Sequence, residues 1–223
     1  MTTTTPALVW PRDMPSSMPF RAVSFEPSYQ QSVGTTRGGL QQVANTGVDL
    51  WRAKYETPPL SKSDALEWRA WLHSLRGGAR LFKACDPVRR YARAYPAGYG
   101  GLTRAGGGSF DGTANLSAIA SARDALTLST LPVGFKLGAG DLLSFAMGDL
   151  QALHEVIIGG TAASDGTLAV TIEPTLALPA VTGVTVSLAQ PWFKAVVTAN
   201  SISGPWQLGQ RMPVAFSAVQ VFV

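Results

Sequence analysis

From Leu126 onward the chain alternates. Leu126 and Leu128 flank Thr127; Leu168, Val170 and Ile172 interleave with Ala169 and Thr171; Val184, Val186 and Leu188 interleave with Thr185 and Ser187. A period of two sends successive side chains to opposite faces of an extended strand, so one face is apolar and the other polar. Turn signals fall at Gly140, Gly148, Gly159, Gly166, Pro174, Gly183, Pro191 and Asn200, 7 to 11 residues apart. Short strands at that spacing predict a mainly β fold of antiparallel sandwich or barrel domains. Asp165-Gly166 supplies one hairpin turn.

The first 60 residues read as strands and turns. Asn45-Thr46-Gly47 is a turn signal, so Val48 to Tyr55 is expected to pair back on Leu40 to Ala44. One amphipathic helix is expected at about 61–76. Ser61 and Asp64 have capping-box form, and Trp68, Trp71, Leu72 and Leu75 fall at i, i+3, i+4 and i+7. That stripe is assigned to the helix's core face, and Gly77-Gly78 ends the helix. Arg80 to Ala84 follows as a short strand.

Residues 94–115 hold eight glycines and prolines, which argue against regular structure. The stretch 94–124 is therefore expected to be a Gly-rich loop or arm, presenting Tyr95, Tyr99, Arg104 and Phe110 to a partner. Val214 to Val223 reads as a strand apolar on both faces, buried on both or docked on a neighbour. It is expected to return to the N-terminal region. The organisation that follows is a β domain of residues 1–93 plus about 192–223, with residues 125–191 as an inserted sandwich-like module.

Charge is scarce. Only 14% of the 223 residues are Asp, Glu, Lys or Arg, against about 25% in ordinary domains. Interface cores are depleted in charge, so an assembly subunit is the expected class. Residues 1–93 hold 13 Lys/Arg and 7 Asp/Glu, but these are scattered, apart from Arg89, Arg90 and Arg93. No nucleic-acid specificity is expected from them. No apolar run approaches the ~18 residues of a membrane-spanning helix. Met1 to Pro6 lacks the pattern of a secretory signal, and none is expected.

Nothing in the sequence nominates a reaction. One cysteine and two histidines cannot build a His/Cys zinc site. Gly106-Gly107-Gly108 and Gly138-Ala139-Gly140 lack the following helix that phosphate loops need. Cys85 and His154 form no recognisable nucleophile motif, and Asp141, Asp149, Glu155, Asp165 and Glu173 are spread over turns and strands. No catalytic, cofactor or metal residue is assigned, and the chain is expected not to be an enzyme.

A resemblance adds to this reading. Leu126-Thr127-Leu128, Leu131-Pro132, Gly140-Asp141, Leu153-His154-Glu155-Val156, Ile172-Glu173-Pro174 and Val184 to Pro191 stand in order. Leu50-Trp51-Arg52-Ala53, the Trp68–Leu75 helix, Asp86-Pro87 and Val214 to Val221 frame them. In that order they resemble tail-tip and baseplate structural proteins of tailed bacteriophages, most closely distal tail proteins. The resemblance implies a virion protein, made in the host cytoplasm, that forms a homo-oligomeric ring, usually a hexamer. The ring would join the tail tube protein to the hub and other tail-tip proteins. Alternatives are a tube or tail-completion subunit, or a carbohydrate-binding module for a host receptor, with Trp10, Trp192, Trp206 and Tyr99 stacking on sugars.

Overall fold

The computed structural model describes residues 8–17, 19–176 and 180–223; the threonine-rich start, Met1 to Pro6, lies outside them. The first strands are β1 (Ala22–Ser28), β2 (Gln31–Thr35), β3 (Gln41–Asn45) and β4 (Leu50–Glu56), followed by helix α1 (Lys62–Ser74) and β5 (Phe82–Cys85). Next come β6 (Thr113–Ile119), β7 (Ala125–Ser129), β8 (Lys136–Leu137), β9 (Leu142–Met147) and β10 (Leu150–Ile158). The chain closes with β11 (Gly160–Thr161), β12 (Leu168–Glu173), β13 (Thr185–Ser187), β14 (Trp192–Val197) and β15 (Ala215–Gln220). The fold is mainly β with antiparallel sheets, one closed barrel and a single α-helix among the described residues. It divides into two compact units, one of residues 1–25, 52–84 and 194–222, the other of residues 26–51 and 85–193.

The first unit is built on a five-stranded sheet in the order β1-β4-β15-β14-β5. β15 lies at its centre, pairing Phe216 with Tyr55 and Ala218 with Ala53 on β4, and Val219 with Val196 on β14. The chain's last strand thus returns to an early one. Arg12 covers β5, accepting the amide of Lys83 and donating its own to Leu81. Helix α1 starts at Ser61, whose Oγ accepts the Asp64 amide at 3.3 Å. The Ser61 hydroxyl in turn donates to the Asp64 carboxylate at 2.8 Å. Trp68, Trp71, Leu72 and Leu75 are all buried. Phe216 sits among Tyr55, Trp68, Trp71 and Phe82, with ring centroids 5.0 to 6.2 Å away. The tilted and edge-on geometries are those aromatic quadrupoles favour.

The second unit contains a closed antiparallel barrel in the order β10-β12-β7-β6-β13-β9. Apolar residues stand side by side on neighbouring strands: Leu128 with Leu168, Leu126 with Val170, Val156 with Ile172, and Val186 with Phe145. Closure removes every free edge from these six strands. Bulges at Val156/Ile158 and Leu116/Ala118 break the ladder locally, in the manner that lets strands bend around a small barrel.

Three expectations are corrected. Of the sandwich or barrel expected, the module is a barrel, and it begins before residue 125: β6 is a stave between β7 and β13. Thr113, Asn115 and Ser117 alternate with Ala114, Leu116 and Ala118 there, but small alanines hide the pattern. The hairpin expected from β3 and β4 does not form. β3 pairs with β2, and β4 pairs with β15, a register that sets Tyr55 of β4 against Phe216 in the aromatic cluster. The boundaries also shift, since residues 26–51 and 85–93 belong to the second unit.

Phe216→Ala would empty the centre of the first unit's aromatic cluster, and large-to-small changes at such sites cost about 3–5 kcal/mol. Urea unfolding should show that loss; a change below about 1 kcal/mol would mean that the cluster is not the unit's core.

Candidate assembly surfaces

Residues 94–112 are not an arm. Tyr99 and Phe110 are each only 5% exposed. Tyr99, Phe110 and Phe135 pack together with centroids 5.1 to 5.5 Å apart, and Tyr95 stacks on Phe135 at 4.7 Å with the planes 5° apart. The Tyr99 hydroxyl accepts the Ala92 amide and donates to the Leu188 carbonyl, both at 2.9 Å. Burial pushes its pKa up to about 12, so it stays a neutral donor. Gly112 permits this burial: at φ +86°, an added Cβ would lie 2.8 Å from Cδ2 of Tyr99.

Arg104 has the same inward role. Its guanidinium donates to the carbonyls of Thr113 and Thr130 at 2.8 Å, to the Asp111 carboxylate at 2.6 Å and to the Thr113 hydroxyl at 2.9 Å. It also lies 5.1 Å above the Phe110 ring. The planar fork of donors suits this clip, which ties the loop to the first barrel strands. Of the four residues expected at a partner contact, Tyr99 and Phe110 fill the unit's interior and Arg104 is spent on its own loop. Tyr95 is half-buried, its hydroxyl accepting the Lys136 amide at 3.0 Å. Glycines set the loop's path, and aromatic burial holds it there.

The candidate stacking aromatics are scattered too. Tyr99 is buried, Trp10 has the Arg80 guanidinium 4.7 Å from its ring centre, and Trp192 is half-buried. Only Trp206 is exposed, on a loop whose neighbouring Leu208 is fully exposed.

The polar residues serve the fold. Glu155 receives Arg89 at 3.0 Å, and Arg89 also reaches Asp86 at 2.7 Å. Asp165 accepts the amide and hydroxyl of Thr167 in the turn before β12. His154 is buried, its Nδ1 donating to the Pro174 carbonyl at 2.6 Å and its ring stacked on Phe145. Its Nε2 has no hydrogen-bond partner among the described residues, consistent with a neutral ring. Burial lowers its pKa to about 4. Among the described residues no group of three His, Cys, Asp or Glu side chains is arranged to hold a metal.

The conspicuous free surface is one the sequence reading missed. Strands β2 and β3 pair only with each other, joining Gln31 to Asn45, Val33 to Val43 and Thr35 to Gln41. All ten strand residues are exposed, including Val33 at 56% and Val43 at 57%. None of the ten is charged, and Arg37 in the turn is the hairpin's single charge. Leu40 next to the turn and Tyr29 and Val48 at the base are exposed as well. The base is held by the Gln30 amide on the Asp49 carboxylate and by the Thr46 amide on the Gln30 carbonyl. A lone two-stranded ribbon is marginal in water, and proteins ordinarily guard exposed strand edges with charge or proline. This one has neither in its strands.

No protein-family model and no curated protein matches the chain.

Two measurements follow. Tyr99→Phe removes the bridge between Ala92 and Leu188, leaving a buried amide and carbonyl unpaired, and should cost about 1–3 kcal/mol by denaturant titration. His154 makes stability pH-dependent with a defined sign. Its folded value of about 4 lies below its ordinary 6.5, so as pH falls the unfolded chain takes the proton first. Its contribution should be constant above ~6.5, decline by roughly 3 kcal/mol between 6.5 and 4, and level below. The slope between those limits should shrink in His154→Phe; an unchanged slope would place the titrating group elsewhere.

Proposed function

We propose that this chain is a non-enzymatic structural subunit of a phage tail tip, most like a distal tail protein, that assembles into a ring through strand addition by its β2–β3 hairpin. The observation that carries the reading is the hairpin itself. Its edges are unpaired, its strands are uncharged, and it exposes Val33 and Val43 where they oppose each other. Pairing with a neighbouring copy would satisfy the free amides and carbonyls and bury those valines, the physics of β-augmentation. The low overall charge suits a chain with much of its surface in contacts. Copies associating head to tail, through different patches, close a ring when the rotation permits. A hexamer between the tube and hub proteins, located in the virion, is the assembly that the motif order implies.

At micromolar concentration, native mass spectrometry and electron microscopy should show discrete rings. Val33→Lys with Val43→Lys should convert them to monomers, because lysines along a strand edge oppose pairing. Exposed positions contribute little to the fold, so the monomers should keep wild-type thermal stability within about 0.5 kcal/mol. A wild-type chain that remains monomeric even beside the tube protein would defeat the reading.

A further inference from the structure

The second unit has an open cleft of about 490 Å³ between the start of the 94–112 loop and the β8–β11 ribbon. Its lining includes Arg93, Lys136, Gly138, Asp141, Gly160 and Thr161. The volume falls in the range of small-molecule sites, about 300–1,000 Å³. The floor is backbone. Gly138 lies so close to Arg93 that an added Cβ would be 2.9 Å from the guanidinium Nη2. At Gly159, also in the lining, an added Cβ would be 2.0 Å from the Leu137 carbonyl oxygen, so any side chain there would force the ribbon apart.

The charges are arranged asymmetrically. Asp141 is 4% exposed, and its two carboxylate oxygens accept the amides of Arg93 and Gly138, both at 2.7 Å. The carboxylate is thereby committed to holding the cleft's walls. Arg93 and Lys136 are exposed, and among the described residues neither side chain takes part in an ion pair. Two cations outside any ion pair therefore line one cleft, together with Thr161 and the glycines Gly138, Gly159 and Gly160.

We infer that this cleft binds a carboxylate-bearing sugar, a uronic-acid unit of an acidic oligosaccharide. Arg93 supplies a planar fork that matches a carboxylate, and Lys136 adds a point charge. Thr161 and the backbone groups suit the hydroxyls of a sugar ring. Other ligand classes fit less well. No aromatic side chain lines the cleft, so a nucleobase would find nothing to stack on. The lining's one large apolar side chain, Leu137, is only 3% exposed, so the cleft offers a protein partner little apolar surface to anchor on. This inference is independent of the ring.

The test is calorimetric titration of the full chain with trigalacturonate, alongside its neutral methyl ester, inorganic phosphate and a DNA oligonucleotide. Saturable binding of trigalacturonate alone is expected, with Arg93→Ala and Lys136→Ala each weakening it about tenfold. Arg93→Lys, which keeps charge but loses the fork, should fall between wild type and Arg93→Ala and guards against misfolding of the alanine variant. Amide resonances of Gly138, Gly160 and Thr161 should shift on titration. No binding, equal binding of the methyl ester, preference for phosphate or DNA, or affinity unchanged in the Arg93→Ala/Lys136→Ala double variant would each overturn the inference. Ring formation should be the same in wild type and double variant, so the two proposals fail separately.

Discussion

The ladder that β15 makes with β4 and β14 organises the first unit. It joins residues 52–56 to residues 215–219, across more than half of the chain. Closing so long a loop costs entropy, although the cost grows only slowly with length. The return comes from what the register brings together: Phe216 lands opposite Tyr55, and the helix lays Trp68 and Trp71 against the same ring. A one-residue slip would turn Phe216 to the other face and dissolve the cluster. Most of the intervening segment, residues 85–193, belongs to the second unit with its barrel, whose own hydrogen bonds close on themselves.

The barrel and the β2–β3 hairpin of the second unit differ in one respect. In the barrel every strand has two partners, so these six strands offer no free edge as a template to another chain. In the β2–β3 hairpin each strand has one partner and no protecting charge. The proposed ring assigns the task of association to the ribbon and leaves the barrel as an inert scaffold. Arg104 and Tyr99 support that division, since they fix the glycine-rich loop to the barrel.

Several elements were legible in the chain itself. The alternation at Leu126, Leu168 and Val184 named strands that became β7, β12 and β13, and the Trp68-to-Leu75 stripe named the helix. What was missed has a common cause. Asn45-Thr46-Gly47 looks like a hairpin turn, yet the turn lies at Thr36 to Leu40, because β4 pairs with β15, whose register partners lie 159 to 167 positions further along the chain. Strand β6 was hidden by its alanines. Tyr99, Phe110 and Arg104 looked like exposed anchors because glycines surround them, and no local signal says that Phe135 waits to receive the rings. The proposed surfaces were least legible of all. The hairpin was paired wrongly, and Arg93 and Lys136 lie 43 positions apart with no motif to link them.

The sequence by itself determined the class of backbone: period-two alternation, closely spaced turns and one capped apolar stripe leave little besides short antiparallel strands and a single helix. The tertiary structure alone decided which strands pair, which aromatics are buried, which edges stay open and which cations share a cleft. Local patterns record whether one face of a segment prefers to leave water. The identity of the surface that receives that face is set by contacts between residues far apart in the chain, and hydrophobic burial is non-directional, so it does not name its partner.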